Sequence, residues 1–155
     1  METAKIDQHD AAILRELQRD GRASIQQISE RIGLSPSPVA RRLRLMEQAG
    51  IVTGYTALIN EHALGFGFSV FVSVKLEKQV DDALARFETE IARHPEVVDC
   101  WLMTGNRDYL LRVATSGLPD FERFLVGTFT KIPGVASIES SIPLRRVKAG
   151  PARAS

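Results

Sequence analysis

The sequence predicts an α+β chain: an N-terminal three-helix (winged) helix-turn-helix domain followed by a C-terminal ferredoxin-like βαββαβ sandwich. Three observations carry that expectation. Apolar residues recur at helical spacing over the first 50 positions and alternate beyond them. Helix start and stop signals cut the first part into three short helices. The second part runs strand, helix, strand, strand, helix, strand, which is the split-βαβ order.

Asp7 is placed to cap the first helix, with Ala11, Leu14 and Leu17 following at helical spacing and Gly21 ending it. Ser24 and Gln27 form a capping-box pattern for the second helix. Ile25, Ile28 and Ile32 give that helix one apolar stripe, and Gly33 sits at its stop. Ser35 caps the third helix, Pro36 occupies a first-turn position where a missing N–H does no harm, and Gly50 closes it. Residues 1–54 thus form the helical domain.

Residues 55–67 read as a strand and hinge linker: Ile51 to Ile59 alternates loosely, and Leu64 to Gly67 marks a bend. In the domain at 68–148, Phe68 to Glu77 alternates cleanly, with Phe68, Val70, Val72, Val74 and Leu76 on one face. Asp81 to Arg93 is helical, with Leu84, Phe87 and Ile91 in one stripe. Val97 to Met103 and Asp108 to Thr115 are strands joined by a turn over Thr104, Gly105, Asn106 and Arg107. Pro119 opens a helix that turns Phe121, Phe124, Leu125 and Ile132 inward and stops at Gly134. Val135 to Val147 is the last strand, with Ala136, Ile138, Ile142 and Leu144 on one face. The tail at 149–155 is expected to be disordered. Two helices cover one face of such a sheet. The other carries Ser69, Phe71, Ser73, Asp99, Trp101, Met103 and Ser137, a mixture suited to a partner sheet, so a dimer is expected.

Composition narrows the function. The chain has 155 residues, 44% hydrophobic and 25% charged, ordinary values for a globular protein. No run of about 18 apolar residues offers a membrane span. The N-terminus has no secretory leader pattern, and the lone Cys100 excludes an intrachain disulfide, so the cytoplasm is the expected location. Net charge is +1, and residues 1–54 hold eight basic and seven acidic groups. Strong nucleic-acid binding by one copy is thereby disfavoured. His9, His62 and His94 are scattered, no nucleophile elbow or phosphate loop is present, and neither a metal nor a cofactor is expected. Cys100 shares a strand face with Val98 and Leu102 and reads as a buried small hydrophobe.

The third helix carries the chemistry. Val39, Leu43 and Met46 fall on its inner face, with Ser37, Arg41 and Arg44 opposite and Arg42 on the flank within reach of a phosphate. An arginine fork donates two bonds to guanine O6 and N7, and a helix N-terminus offers N–H groups to phosphate. Ser24, Ser35, Ser37, Pro38, Arg41, Arg42 and Arg44 are therefore the candidate contacts to double-stranded DNA.

Five segments, at Ile13–Arg22, Gly33–Pro38, Gly54–Leu58, Gly105–Leu110 and Ile132–Val135, together resemble the Lrp/AsnC (feast/famine) transcription regulators of bacteria and archaea, most nearly the leucine-responsive group. The resemblance spans about residues 5–148. It implies regulation of genes of amino-acid metabolism or transport, sheet-paired dimers assembling into rings, often octamers, and an amino-acid effector bound between dimers. It also implies that the turn over Thr104, Gly105, Asn106, Arg107, Asp108 and Tyr109 lines the effector site. The residues suit that role: Asp108 can pair with an ammonium group, outward Ser137, Glu139 and Ser141 can supply polar contacts, and Leu102 and Leu118 can contact an apolar side chain. Read without the resemblance, the same turn is a plain hairpin with an exposed Arg107–Asp108 pair. Many relatives have Gly-Asp where this chain has Gly105 and Asn106, and close relatives can carry an acidic residue at the place of Arg41, so neither leucine nor an operator sequence transfers. Two other classes fit the architecture: a sirohaem decarboxylase-like enzyme subunit and an architectural DNA-binding protein.

Overall fold

In a computed structural model of the chain, residues 6–148 are described. They fall into two compact units, the first ending at Leu58 and the second spanning Ile59–Arg146. The tail at 149–155 lies outside the described residues.

The first unit consists of α1 (Gln8–Arg19), α2 (Ile25–Ile32) and α3 (Pro36–Gln48). Each boundary has a local cause. The Asp7 carboxylate accepts from the His9 and Asp10 N–H groups, and Asp10 accepts from the Asp7 N–H in return. Ser24 and Gln27 make the same reciprocal pair on α2, satisfying donors that the helix itself leaves open. Gly33 ends α2 at φ +69°, a left-handed conformation that costs glycine nothing. Ser35 holds the N-cap position of α3, but its side chain makes no capping bond, contrary to expectation. Ile13, Ile28, Val39 and Met46 form the core, with Leu14, Leu17 and Leu43 packed against it. On α1 the fully buried residue is Ile13, which the expected Ala11–Leu14–Leu17 stripe leaves out.

The strand expected over Ile51 to Ile59 is not formed, and among the described residues of this unit no strand makes a wing. A strand exists as one side of a hydrogen-bonded ladder, and this stretch pairs with none among the described residues. Ile51 and Val52 instead pack on the helical core, and the Tyr55 hydroxyl donates to Glu47 at 2.8 Å.

The second unit contains β1 (Phe68–Leu76), α4 (Asp81–Ile91), β2 (Val97–Leu102), β3 (Tyr109–Thr115), α5 (Leu118–Gly127) and β4 (Val135–Ser141). The strands are antiparallel in the order β2-β3-β1-β4. Alternation sends Val70, Val72, Val74 and Leu76 to one face, where Tyr109, Leu111 and Val113 of β3 join them. Phe87, Ile91, Phe121, Phe124, Phe129 and Ile132 close over that face, and Phe87 lies 4.6 Å from Tyr109 between ring centroids.

Four sequence expectations shift. The α5 helix ends at Gly127 and a short 3-10 turn over Phe129–Lys131 follows it, burying Phe129. Strand β4 ends at Ser141 rather than Val147. Lys75 pairs with Ser137 and Leu76 with Val135, so Ala136 is an extra residue. That bulge breaks the alternation: Val135 and Ile138 reach the core, whereas Ala136 is exposed. Cys100, opposite Leu111 on the helix side, sits on an edge strand and is exposed rather than buried.

Among the described residues of this unit no helix covers the other face, which carries Phe71, Ser73, Asp99, Trp101, Arg112 and Glu139. A groove of about 780 Å³ runs over it, with Phe68, Phe71, Trp101, Arg112, Ile142 and Leu144 among its walls. Trp101 is 45% exposed there.

Candidate functional site

The first candidate is α3. Its inner residues Val39 and Met46 are buried, which turns Ser37, Pro38, Arg41 and Arg44 to solvent. Arg41 and Arg44 lie three residues apart and share one face. Ser24 and Ser35 are also exposed, although the Ser24 hydroxyl is engaged in its cap. Within the first three helical residues Pro36 and Pro38 have no N–H, so only Ser37 has a backbone donor for an anion. The N-terminus of α3 is thus a poorer phosphate cradle than helix geometry alone implies.

Arg42 departs furthest from expectation. Its Nη1 donates to Asp7 at 2.7 Å and to Asp10 at 2.8 Å, and its side chain is 23% exposed. The same carboxylates that cap α1 therefore pin α3 and offset the guanidinium charge. The Asp10 amide, assisted by Arg42 and the His9 amide and opposed by burial, holds the Asp7 carboxyl down at about 2.

The second candidate is the β2–β3 hairpin. Gly105 has φ +108°, a conformation that disfavours any side chain. Thr104, Gly105 and Asn106 are exposed at the tip. Arg107 does not pair with Asp108; it donates to the Ser137 hydroxyl at 2.9 Å and to Glu139 at 2.6 Å across β4. Asp108 is buried: its carboxylate accepts from the Leu76 N–H at 2.7 Å, from the Gln79 side-chain amide, and from Lys75 at 3.5 Å. Tyr109 is buried as well, its hydroxyl donating to Glu88 at 2.7 Å. Burial first, then Glu88, pushes that phenol well above its ordinary value.

These contacts divide the expected effector residues. Thr104, Gly105, Asn106, Arg107, Ser137 and Glu139 come together around the tip, with Leu102 exposed at the end of β2. Asp108 and Tyr109 support it from beneath and present no free group. Leu118 follows the far end of β3, and Ser141 pairs with Phe71 at the far end of β4, so the chain does not bring either to the tip. The Gln79 and Lys75 partners of Asp108 escaped sequence reasoning; their only signal is a polar pair at the end of a buried strand.

Cys100 lines a groove with Glu88, Ile91 and Tyr109. Desolvation of its sulfur, with Glu88 nearby, pushes the thiol up to about 11, which makes it a poor nucleophile. Among the described residues no group of His, Cys, Asp and Glu is arranged to hold a metal ion, and no helix is long and apolar enough to cross a membrane.

A three-helix reader with an outward arginine pair, joined to a ferredoxin-like unit, defines a two-module transcription regulator. Residues 6–53 match the winged helix-turn-helix DNA-binding family, and residues 69–153 match the Lrp/AsnC ligand binding domain. The chain is 46% identical over 144 residues to the Bkd operon transcriptional regulator of Pseudomonas aeruginosa, covering 93% of this chain and 94% of that protein. It is 36% identical over 143 residues to the leucine-responsive regulatory protein of Escherichia coli, with coverage of 92% and 87%. Among solved structures, a transcriptional regulator from Neisseria meningitidis in complex with L-Met superposes with a TM-score of 0.89 at 36% identity, over 94% of each chain. The feast or famine regulatory protein from M. tuberculosis complexed with L-methionine gives 0.81 at 33% identity, over 97% of this chain and 100% of that one. The protein belongs to the Lrp/AsnC family of transcriptional regulators.

Proposed function

We propose that this regulator reads specific DNA sequences near genes of amino-acid metabolism or transport, as a dimer that assembles further to an octamer, with a free amino acid as effector. The observation that carries the reading is the exposed Arg41–Arg44 pair on α3, a helix that Arg42 ties to Asp7 and Asp10, in a chain whose second unit matches a ligand-binding family. In this reading α3 enters the major groove, Arg41 and Arg44 donate to guanine edges, and the Ser35 and Ser37 hydroxyls meet phosphate. A reader with almost no net charge binds weakly alone, and presenting two or more copies at fixed spacing raises its effective concentration. The uncovered sheet face, with Phe71 and Trp101, is the natural place for a second copy.

The effector is assigned to the hairpin tip. Backbone N–H groups around Gly105 and Asn106 suit a carboxylate, and the Arg107–Glu139–Ser137 cluster supplies polar partners of both signs. Asp108 and Tyr109 act as scaffold. L-methionine, bound in two related structures, is the first candidate. A thermal-shift screen of the proteinogenic amino acids tests this. A ligand at about 100 times its dissociation constant stabilises the fold by about 2.7 kcal/mol. If no amino acid moves melting, assembly or DNA affinity, the effector assignment fails. Equal binding to selected and random duplexes refutes sequence-specific reading.

A further inference from the structure

The segment ahead of β1, expected to be strand and hinge, is folded over residues 60–67. The Asn60 side chain accepts from the Ala63 N–H at 3.2 Å and caps a 3-10 turn over Glu61–Leu64, which Gly65 closes at φ +85°. The Phe66 N–H donates to the Glu61 carbonyl at 2.8 Å. A Cβ on Gly67 would stand 2.6 Å from His62 Cδ2, so the loop also packs tightly on itself. Yet apolar burial does not hold it to the sheet: Leu64 and Phe66 are 63% and 50% exposed.

Arg112 supplies an attachment. It sits on the uncovered face of β3, opposite Phe71 and Asp99. Its Nη1 and Nη2 donate to the two Glu61 oxygens at 2.8 and 3.0 Å, and its Nε donates to Asp99 at 3.0 Å. A guanidinium fork engaged at both tips and at Nε has a fixed orientation, which a lysine ammonium would not reproduce. The clasp joins β3, β2 and the loop through which the chain enters the second unit, which begins at Ile59.

We infer that Arg112 is a positioning residue for DNA recognition: by holding Glu61 it fixes the point at which the connector leaves the sensor unit, and so the spacing at which two copies present α3. The inference rests on the two-copy reading proposed above. Its geometry has a scale. Tyr55 is tied to Glu47 and Glu61 to Arg112, leaving residues 56–60 as the run between the tethers, which spans at most about 18 Å. Without the clasp the untethered run lengthens through residue 67, and its upper bound when fully extended rises to about 40 Å, more than the roughly 34 Å between half-sites one helical turn apart.

The test uses full-length protein and a duplex selected by the wild-type chain from random sequence, then remade with its half-sites moved apart by about 5 base pairs, half a turn. Wild type should lose about tenfold or more on the shifted duplex. Arg112→Gln and Glu61→Gln should bind both duplexes within about threefold of each other, with faster hydrogen exchange over residues 60–67, wild-type sedimentation and wild-type affinity for one isolated half-site. Glu61→Gln leaves the Arg112–Asp99 pair in place and carries the test if Arg112→Gln fails to assemble. Variants that keep wild-type spacing discrimination overturn the inference, as does an equal loss on the isolated half-site. A wild-type chain that binds paired half-sites no better than one refutes the two-copy reading, and the clasp's role falls with it.

Discussion

Asp108→Asn separates a scaffold carboxylate from a ligand-binding one. Asp108 is 2% exposed, and its carboxylate accepts from the Leu76 N–H, the Gln79 amide and Lys75. Burial alone would push its carboxyl up; those partners together outweigh it and hold the group below its ordinary value. Hydrogen bonds to a charged group contribute about 1.5–3 kcal/mol, and a buried N–H left without an acceptor costs about 1–3 kcal/mol. Asp108→Ala does both at Leu76, and because the two overlap a loss of about 3 kcal/mol is expected. Asp108→Asn keeps an oxygen for Leu76 but turns an NH2 toward two other donors, for a loss of about 2 kcal/mol. Lys75, 37% exposed, returns to water and adds little.

The pH dependence gives a second check. A carboxyl whose folded pKa lies below its unfolded value of about 3.9 contributes fully above that value and loses its contribution as pH falls through the folded pKa. The Asn variant's deficit at pH 7 should therefore shrink once the pH drops below about 4. Urea unfolding at one fixed protein concentration, at pH 7 and at about pH 3, measures it. A deficit below about 0.5 kcal/mol at pH 7, well under a typical hydrogen bond, refutes the scaffold role. So does a deficit unchanged in acid.

Three further outcomes are expected. Arg41→Ala and Arg44→Ala should each weaken binding to a selected duplex by about 1–3 kcal/mol while sparing random DNA, as gel shift or anisotropy reads directly; equal loss on both would make them phosphate contacts. Arg42→Ala should lower the melting temperature while leaving the slope of log affinity against log salt unchanged, because its guanidinium is engaged with Asp7 and Asp10; a slope reduced by about 1 would place it on a phosphate. Gly105→Ala should destabilise by about 1–3 kcal/mol through its backbone conformation alone, since a Cβ there meets nothing within 4 Å. Gly127→Ala at the end of α5, equally unobstructed, should not destabilise.

The sequence yields those features whose causes are local. Caps at Asp7 and Ser24 and the stop at Gly33 depend on neighbours two to four residues away, and all three occur as read. Strand β1 is legible because its alternation is uninterrupted. What fails depends on distant partners. Arg42 finds its acids 32 and 35 residues earlier, Arg107 finds Glu139 32 residues later, and Asp108 is claimed by groups 29 to 33 residues before it. A helical wheel or a family resemblance gives each of these side chains a direction but no competitor, so the sequence predicts an outward Asp108 and an Arg42 within reach of phosphate. The Ala136 bulge is invisible for a similar reason: register belongs to a strand pair, not to one strand. The Ile51 to Ile59 stretch alternates enough to be a strand but joins no ladder among the described residues.

The two faces of the sensor sheet have separate consequences for thermodynamics. Val70, Val72, Val74, Phe87, Leu111, Val113 and Phe129 complete a core on the helix side without help from the groove opposite. If copies pair through that groove, as proposed, folding and association draw on different surfaces, and a second copy can leave without opening the first. An equilibrium between assemblies built this way moves when a metabolite binds one form better than another; a hundredfold preference, about 2.7 kcal/mol, shifts it a hundredfold. Control by a small molecule then requires a bias between finished folds rather than the making or unmaking of one.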